Sequence, residues 1–199
     1  MALTKVLTGG IADDAITSAK IPADAVTNSE LNLGSDYAFT GTVSGVSTIT
    51  TLNSGGVSVS GNAEADFLNL PSGIKRINVM FYGVSAGSDT GALVRLGTSS
   101  GLKTSGYLSI SHYGSGGQSD SSGFMAYGTG SSNALAGILT INHMGGNVFV
   151  SSHSLYYNNS NGVFGGGRVD LGGTLDRLRV LSVSGGNFDA GLVNINYEL

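Results

Sequence analysis

Ile77-Asn78-Val79-Met80-Phe81-Tyr82 sets one series, Ile77, Val79 and Phe81, against a second, Asn78, Met80 and Tyr82. A repeat of two is that of an extended chain, whose successive side chains point to opposite faces, and it marks a half-buried strand. Near the C-terminus Val193, Ile195 and Tyr197 alternate with Leu192, Asn194 and Asn196 in the same way. Between these two anchors the chain breaks into short apolar runs separated by Gly, Ser and Asn. With them the candidate strands are Asp66 to Leu70, Ile74 to Val84, Leu93 to Leu96, Tyr107 to His112, Gly123 to Tyr127, Gly137 to His143, Asn147 to Leu155, Gly167 to Leu171, Leu175 to Val183 and Leu192 to Tyr197. Many short strands with no amphipathic helix between them predict an all-β domain over residues 64–199, a β-sandwich of jelly-roll type rather than βαβ units. The glycines supply positive-φ turn positions. Their density at Gly114 to Gly117 and Gly165 to Gly167 points instead to close approaches of backbone.

Upstream the texture differs. Residues 36–63 are rich in Gly, Ser and Thr and almost uncharged, with Val43, Val46, Ile49 and Leu52 spaced among hydroxyl residues. A flexible linker is one reading. The frequency of β-branched residues favours the other, an ordered neck or shaft. In residues 1–35 a ten-residue unit recurs, Ile11-Ala-Asp-Asp-Ala-Ile-Thr-Ser-Ala-Lys20 followed by Ile21-Pro-Ala-Asp-Ala-Val-Thr-Asn-Ser-Glu30. Its apolar residues, Ile11, Ile16, Ile21, Val26 and Leu31, fall every fifth position, a spacing that matches neither helix nor strand. Pro22 disfavours a continuous helix through it. A unit that cannot cover its own apolar row needs neighbours, and with only two repeats present the expected neighbours are other chains. The alternative is a frayed tail with a chance duplication.

Composition narrows the function. The 199 residues contain 33 Gly but no collagen period, and 40% are hydrophobic, too many for a disordered chain. Thirteen acidic against nine basic residues leave a net charge of −4, so no basic surface exists to neutralise a phosphate backbone and nucleic acid is not an expected partner. There is no Cys, which excludes disulfides and thiolate metal sites. Residues 1–10 lack the apolar run of a signal peptide, and no stretch reaches the length of a membrane-spanning helix, so a protein not inserted in a membrane is expected, one that, if it works outside a cell, leaves by lysis or assembly rather than by secretion.

Chemistry is sparse. Gly83-Val-Ser85-Ala-Gly87 and Gly97-Thr-Ser99-Ser-Gly101 match the nucleophile-elbow pattern, but in so Gly- and Ser-rich a chain such matches arise by chance. The elbow also needs a strand-to-helix turn that is not predicted here, and Ser85 reads as a turn residue. His112, His143 and His153 have no carboxylate at metal-ligand spacing, so neither a metal nor another cofactor is expected. Asp176, Arg177 and Arg179 read as an ordinary solvated ion-pair strand. Asn158-Asn-Ser160 matches a glycosylation sequon, without meaning if the chain is not secreted.

The binding reading is richer. His112 to Ser122 and His153 to Phe164 mix aromatic residues with amides and hydroxyls, the combination that packs rings on sugar faces and hydrogen-bonds sugar hydroxyls. As loops of the β domain they nominate Tyr113, Gln118, Tyr156, Tyr157 and Asn158 for contact; ordinary polar hairpin loops are the alternative.

Gly10 to Leu31 resembles the decad-type segment near the start of many bacteriophage tail-fibre proteins. The runs Lys75 to Ser85, Val94 to Thr98, Ser105 to Tyr107, Gly172 to Val180 and Phe188 to Gly191 resemble the head domains of such fibres. The resemblance implies a homotrimer of the virion tail, docked on a tail or baseplate protein by its N-terminus. Its β-rich tip would meet host polysaccharide or lipopolysaccharide. It carries no catalytic residue across, and the shaft here is short. The trimer would bury Ile11, Ile16, Ile21, Val26 and Leu31 around one axis, and the expectation is a non-enzymatic receptor-binding fibre. The alternative is a short tailspike cleaving host polysaccharide with carboxylates such as Asp120 and Asp170.

Overall fold

The computed structural model describes residues 49–87, 91–114, 116–127, 134–158 and 161–199. The predicted 1–35 segment with Ile11, Ile16, Ile21, Val26 and Leu31 lies outside the described residues, as does the neck up to residue 48. Fourteen strands are described: β1 (Ile49–Thr51), β2 (Val57–Ser58), β3 (Glu64–Phe67), β4 (Arg76–Ala86), β5 (Ala92–Thr98), β6 (Gly101–Leu102), β7 (Leu108–Tyr113), β8 (Gly116–Asp120), β9 (Phe124–Ala126), β10 (Leu135–Gly145), β11 (Val148–Asn158), β12 (Asn161–Asp170), β13 (Arg177–Ser182) and β14 (Phe188–Glu198).

They form two antiparallel sheets. The large one runs β1-β14-β4-β10-β11-β12-β7-β8, with β2 also on β14; the small one runs β3-β13-β5-β6, with β9 also on β5. Each of the ten predicted segments overlaps one strand. Differences lie at the ends and in small additions. Ile49–Thr51 and Val57–Ser58 pair along one edge of β14, so part of the predicted neck joins the large sheet, and the compact unit, Ser47–Leu199, begins before residue 64. The two segments read as contact loops are instead hairpins, β7–β8 and β11–β12, within the large sheet.

Inward residues alternate as the period predicts. Ile77, Val79, Phe81, Leu139, Ile141, Val193 and Ile195 from the large sheet meet Phe67, Val94, Leu96, Leu178 and Val180 from the small one in a single core. Each such burial is worth about 1.5–3 kcal/mol. At the β7 side the sheets are tied by polar contacts as well. Ser109 and Ser111 hydroxyls accept the amides of Met125 (2.8 Å), in the middle of β9, and Tyr127 (3.1 Å), just beyond its end. Tyr107, 1% exposed, sets its ring edge-on to Phe124 at 5.1 Å, and its hydroxyl accepts the Leu96 amide at 2.8 Å. Leu96 needs this partner because β9 pairs with residues 92–94 of β5 and β6 with 97–98, which leaves its amide in the gap between them. Burial outweighs the Leu96 hydrogen bond and the nearby Arg95 charge and pushes the Tyr107 phenol up to about 12.

The run Gly165-Gly166-Gly167 sits inside β12, not before it, and is obligatory there. A Cβ on Gly165 would drive into the Ile110 carbonyl, one on Gly166 would lie 2.8 Å from the Ser151 carbonyl, and one on Gly167 would lie 2.6 Å from that of Leu108. The expected close backbone approach is therefore real at this run. β12 starts at Asn161, earlier than predicted, because glycines in the strand read locally as a turn.

Candidate ligand-binding face

Period-two geometry decides which rings are available. Tyr156 and Tyr157 are neighbours on β11, so they face opposite ways. Tyr156 is 50% exposed on the outer face, whereas Tyr157 is 4% exposed in the core. Tyr113 also turns inward, half-buried, its ring 4.5 Å from that of Tyr157 and 6.2 Å from that of Tyr127. Tyr113 and Tyr157 are thus structural, a correction to the contact set, and the cause is that both segments are strands rather than loops. Gln118 stands exposed on the edge strand β8. Asn158 ends β11 opposite Asn161, and its side chain lies outside the described residues.

Two further rings, outside the five residues nominated for contact, stand on the outer face of the large sheet. Tyr82 is 75% and Phe164 56% exposed, beside Ile138 at 46% and Leu192 at 36%. The register places Leu192 opposite Tyr82, Met80 opposite Ile138, Ile138 opposite Ser154, and Ser154 opposite Phe164. Tyr156 is the diagonal neighbour of Phe164, within reach of an aromatic side chain. Gly162, opposite Tyr156, adds no side chain beside it. His112 lies opposite Phe164 and stacks on it, 5.7 Å between centroids at 12°. The imidazole covers Gly117, where an added Cβ would come within 2.5 Å of it. Across the same face runs a polar row: Asn78 donates to Asn196 (2.9 Å) and accepts from Thr140 (3.0 Å). The outward phase of Tyr82 was legible in its alternation with Phe81; that of Phe164 was hidden by the glycines that follow it.

Next to the Phe164–His112 pair the face dips into an open groove of about 750 Å³. Its floor is bare strand at Gly166 and Gly167, and its walls include Leu108, Ile110, Val150, Ser119, Ser121 and Arg168. Val150, Arg168 and Leu108 face one another across β11, β12 and β7, and Gly166, Ile110 and Ser119 form the adjacent row.

The chemical candidates resolve differently. Asp120 accepts the Ser122 amide (2.5 Å) and hydroxyl (2.7 Å), and Asp170 accepts the Gly172 amide (3.0 Å), so each carboxylate holds a turn. Ser85 is not in a turn: it lies within β4, 6% exposed, donating to Asp189 at 2.5 Å. Ser99 sits in the β5–β6 turn. His143 stacks on Phe149 at 5.0 Å and bonds the Gly146 carbonyl. His153, 7% exposed, shares a 2.9 Å hydrogen bond with Ser111, which is fully buried; neither reaches an open surface. Its Nδ1 and the nearby Ser151 hydroxyl are buried with no partner among the described residues. Burial holds the His153 imidazole down at about 4. Among the described residues no three His, Asp or Glu side chains gather as a metal site. On the small sheet Arg177 pairs with Asp176 (2.7 Å), while Arg179 reaches across to Asp66 (2.6 Å) and Glu64 (2.5 Å) on β3.

No protein-family model, no curated protein and no solved structure matches the chain.

Proposed function

We propose that this chain is a structural adhesin of a phage tail. In this reading it is a homotrimeric fibre anchored to the tail or baseplate through residues 1–35, and its β-sandwich contacts polysaccharide or lipopolysaccharide on the host surface. The observation that carries it is the outer face of the large sheet, where Tyr82, Tyr156 and Phe164 stand half or more exposed beside amide and hydroxyl rows. Monomeric proteins rarely leave so many large apolar side chains together on one face without using them. Rings and amides in one plane suit sugars, which offer apolar faces and a rim of hydroxyls. Three copies on one tip would turn weak contacts into avidity. The non-enzymatic part of the reading is supported by the local engagement of Asp120 and Asp170, which leaves the depolymerase alternative without a free carboxylate pair at those positions.

The test is adsorption of the full chain to host cells. Tyr82→Ala and Tyr156→Ala should each weaken adsorption, on the order of 1 kcal/mol per lost ring contact, while leaving the melting transition and the mass in solution unchanged. Equal adsorption by both variants would reject this face as the contact. New reducing ends from host polysaccharide incubated with the parent would reject the non-enzymatic reading.

A further inference from the structure

The five arginines of the chain are all described, and four are held: Arg76 by Glu198 (2.5 Å), Arg95 by Ser122 (2.8 and 3.0 Å), Arg177 by Asp176, and Arg179 by Asp66 and Glu64. Arg168 is the exception. It is exposed on the wall of the groove over Gly166, and its guanidinium has no ion-pair or hydrogen-bond partner among the described residues. Asp120, also at the groove, forms no ion pair with it. That residue stands opposite the buried Ser109, on the inward phase of β8, and its carboxylate holds the Ser122 turn. The groove therefore presents one guanidinium outside any ion pair, in a chain whose net charge is −4.

The surroundings narrow what that cation receives. Leu108 and Ile110, 59% and 46% exposed, give an aliphatic wall, and Ser119 and Ser121 add hydroxyls. Glycine at 166, the outward position between Phe164 and Arg168, leaves the floor without a side chain there, so a flat body can lie against the strand. Phe164, Gly166 and Arg168 share the outward phase of β12, and at about 3.3 Å per residue the backbone positions that carry the ring and the guanidinium stand roughly 13 Å apart along the strand. That span matches two linked sugar rings, and the volume lies within the range of small-ligand sites. A guanidinium fork accepts a planar carboxylate through two parallel hydrogen bonds.

We propose that this groove binds a carboxylate-bearing saccharide, with the acid group on Arg168, the apolar face of that sugar on Leu108 and Ile110, and the next sugar toward Phe164. The proposal rests on the adhesin reading and gives it a ligand class: acidic surface polysaccharide.

The test uses the full chain and a tetrasaccharide of alternating glucuronate and N-acetylglucosamine, followed by calorimetry and by methyl shifts of Leu108 and Ile110. The parent should bind it, and the carboxyl-reduced tetrasaccharide should bind about tenfold more weakly or worse. Arg168→Ala should bind both equally weakly. Arg168→Lys should recover only part, since a point charge replaces the fork. Absence of binding by the parent at millimolar concentration, or equal affinity of the parent for the acidic and reduced sugars, overturns the proposal. Displacement by glucose 1-phosphate or a tetraglutamate peptide as effective as the acidic sugar also overturns it, since the site would then read any anion. Host adsorption separates the two levels. Loss of adsorption with Tyr156→Ala but not with Arg168→Ala keeps the adhesin reading and refutes the groove. Arg168-dependent sugar binding in a chain that does not adsorb keeps the groove and refutes the adhesin reading.

Discussion

Acidification should destabilise the sandwich through His153. Its Nε2 already shares the Ser111 hydroxyl, which also accepts the Tyr127 amide, and its Nδ1 is buried without a partner among the described residues. Protonation would place an unpaired N–H and a full charge in the core. The imidazole is accordingly held down at about 4 from an ordinary 6.5. The native state then binds fewer protons than the unfolded chain between these values, so stability is full above pH 6.5 and is lost as pH falls toward 4. At 1.36 kcal/mol per unit the loss is about 3 kcal/mol, a large share of a typical domain's stability. Urea unfolding from pH 7 to 4 of the parent and of His153→Gln measures it, because contributions from carboxylates common to both cancel in the difference. The parent should lose about 3 kcal/mol more than the variant over this interval. Parallel pH profiles, or an imidazole resonance of His153 that titrates near 6.5, would refute the reasoning.

Tyr107→Phe keeps the ring against Phe124 but orphans the buried Leu96 amide, and should cost about 1–3 kcal/mol, read as a lowered melting temperature. Gly165→Ala should cost about 2 kcal/mol or more by forcing Cβ against the Ile110 carbonyl, whereas Gly55→Ala, with nothing within 4 Å of the new atom, should stay within about 0.5 kcal/mol. Light scattering of the full-length chain should give three times 20.0 kDa; a stable monomer would remove the trimer from the proposed function.

Strand identity was written locally. The alternation at Ile77 to Tyr82 and at Leu192 to Tyr197 names both strands and their buried phases, and the same rule would have shown that Tyr156 and Tyr157 cannot both face a ligand. That rule needs the segment to be a strand, and the Gly, Ser and Asn around Tyr113 and Tyr157 made hairpin strands look like loops. Glycine is ambiguous in sequence because it serves equally where a turn needs positive φ and where a neighbouring backbone leaves no room for Cβ. Only the packing of β12 between β11 and β7 shows that residues 165–167 are the second case. Sheet order is likewise not local: it brings Phe164 beside His112, more than fifty residues earlier in the chain, and sets Arg168 across from Leu108. Whether a charge is spent is settled by partners from distant strands, as Arg179 finds Asp66 and Glu64 while Arg168 finds none among the described residues. The period of a strand is a property of its own residues, but the face it shares belongs to the whole sheet.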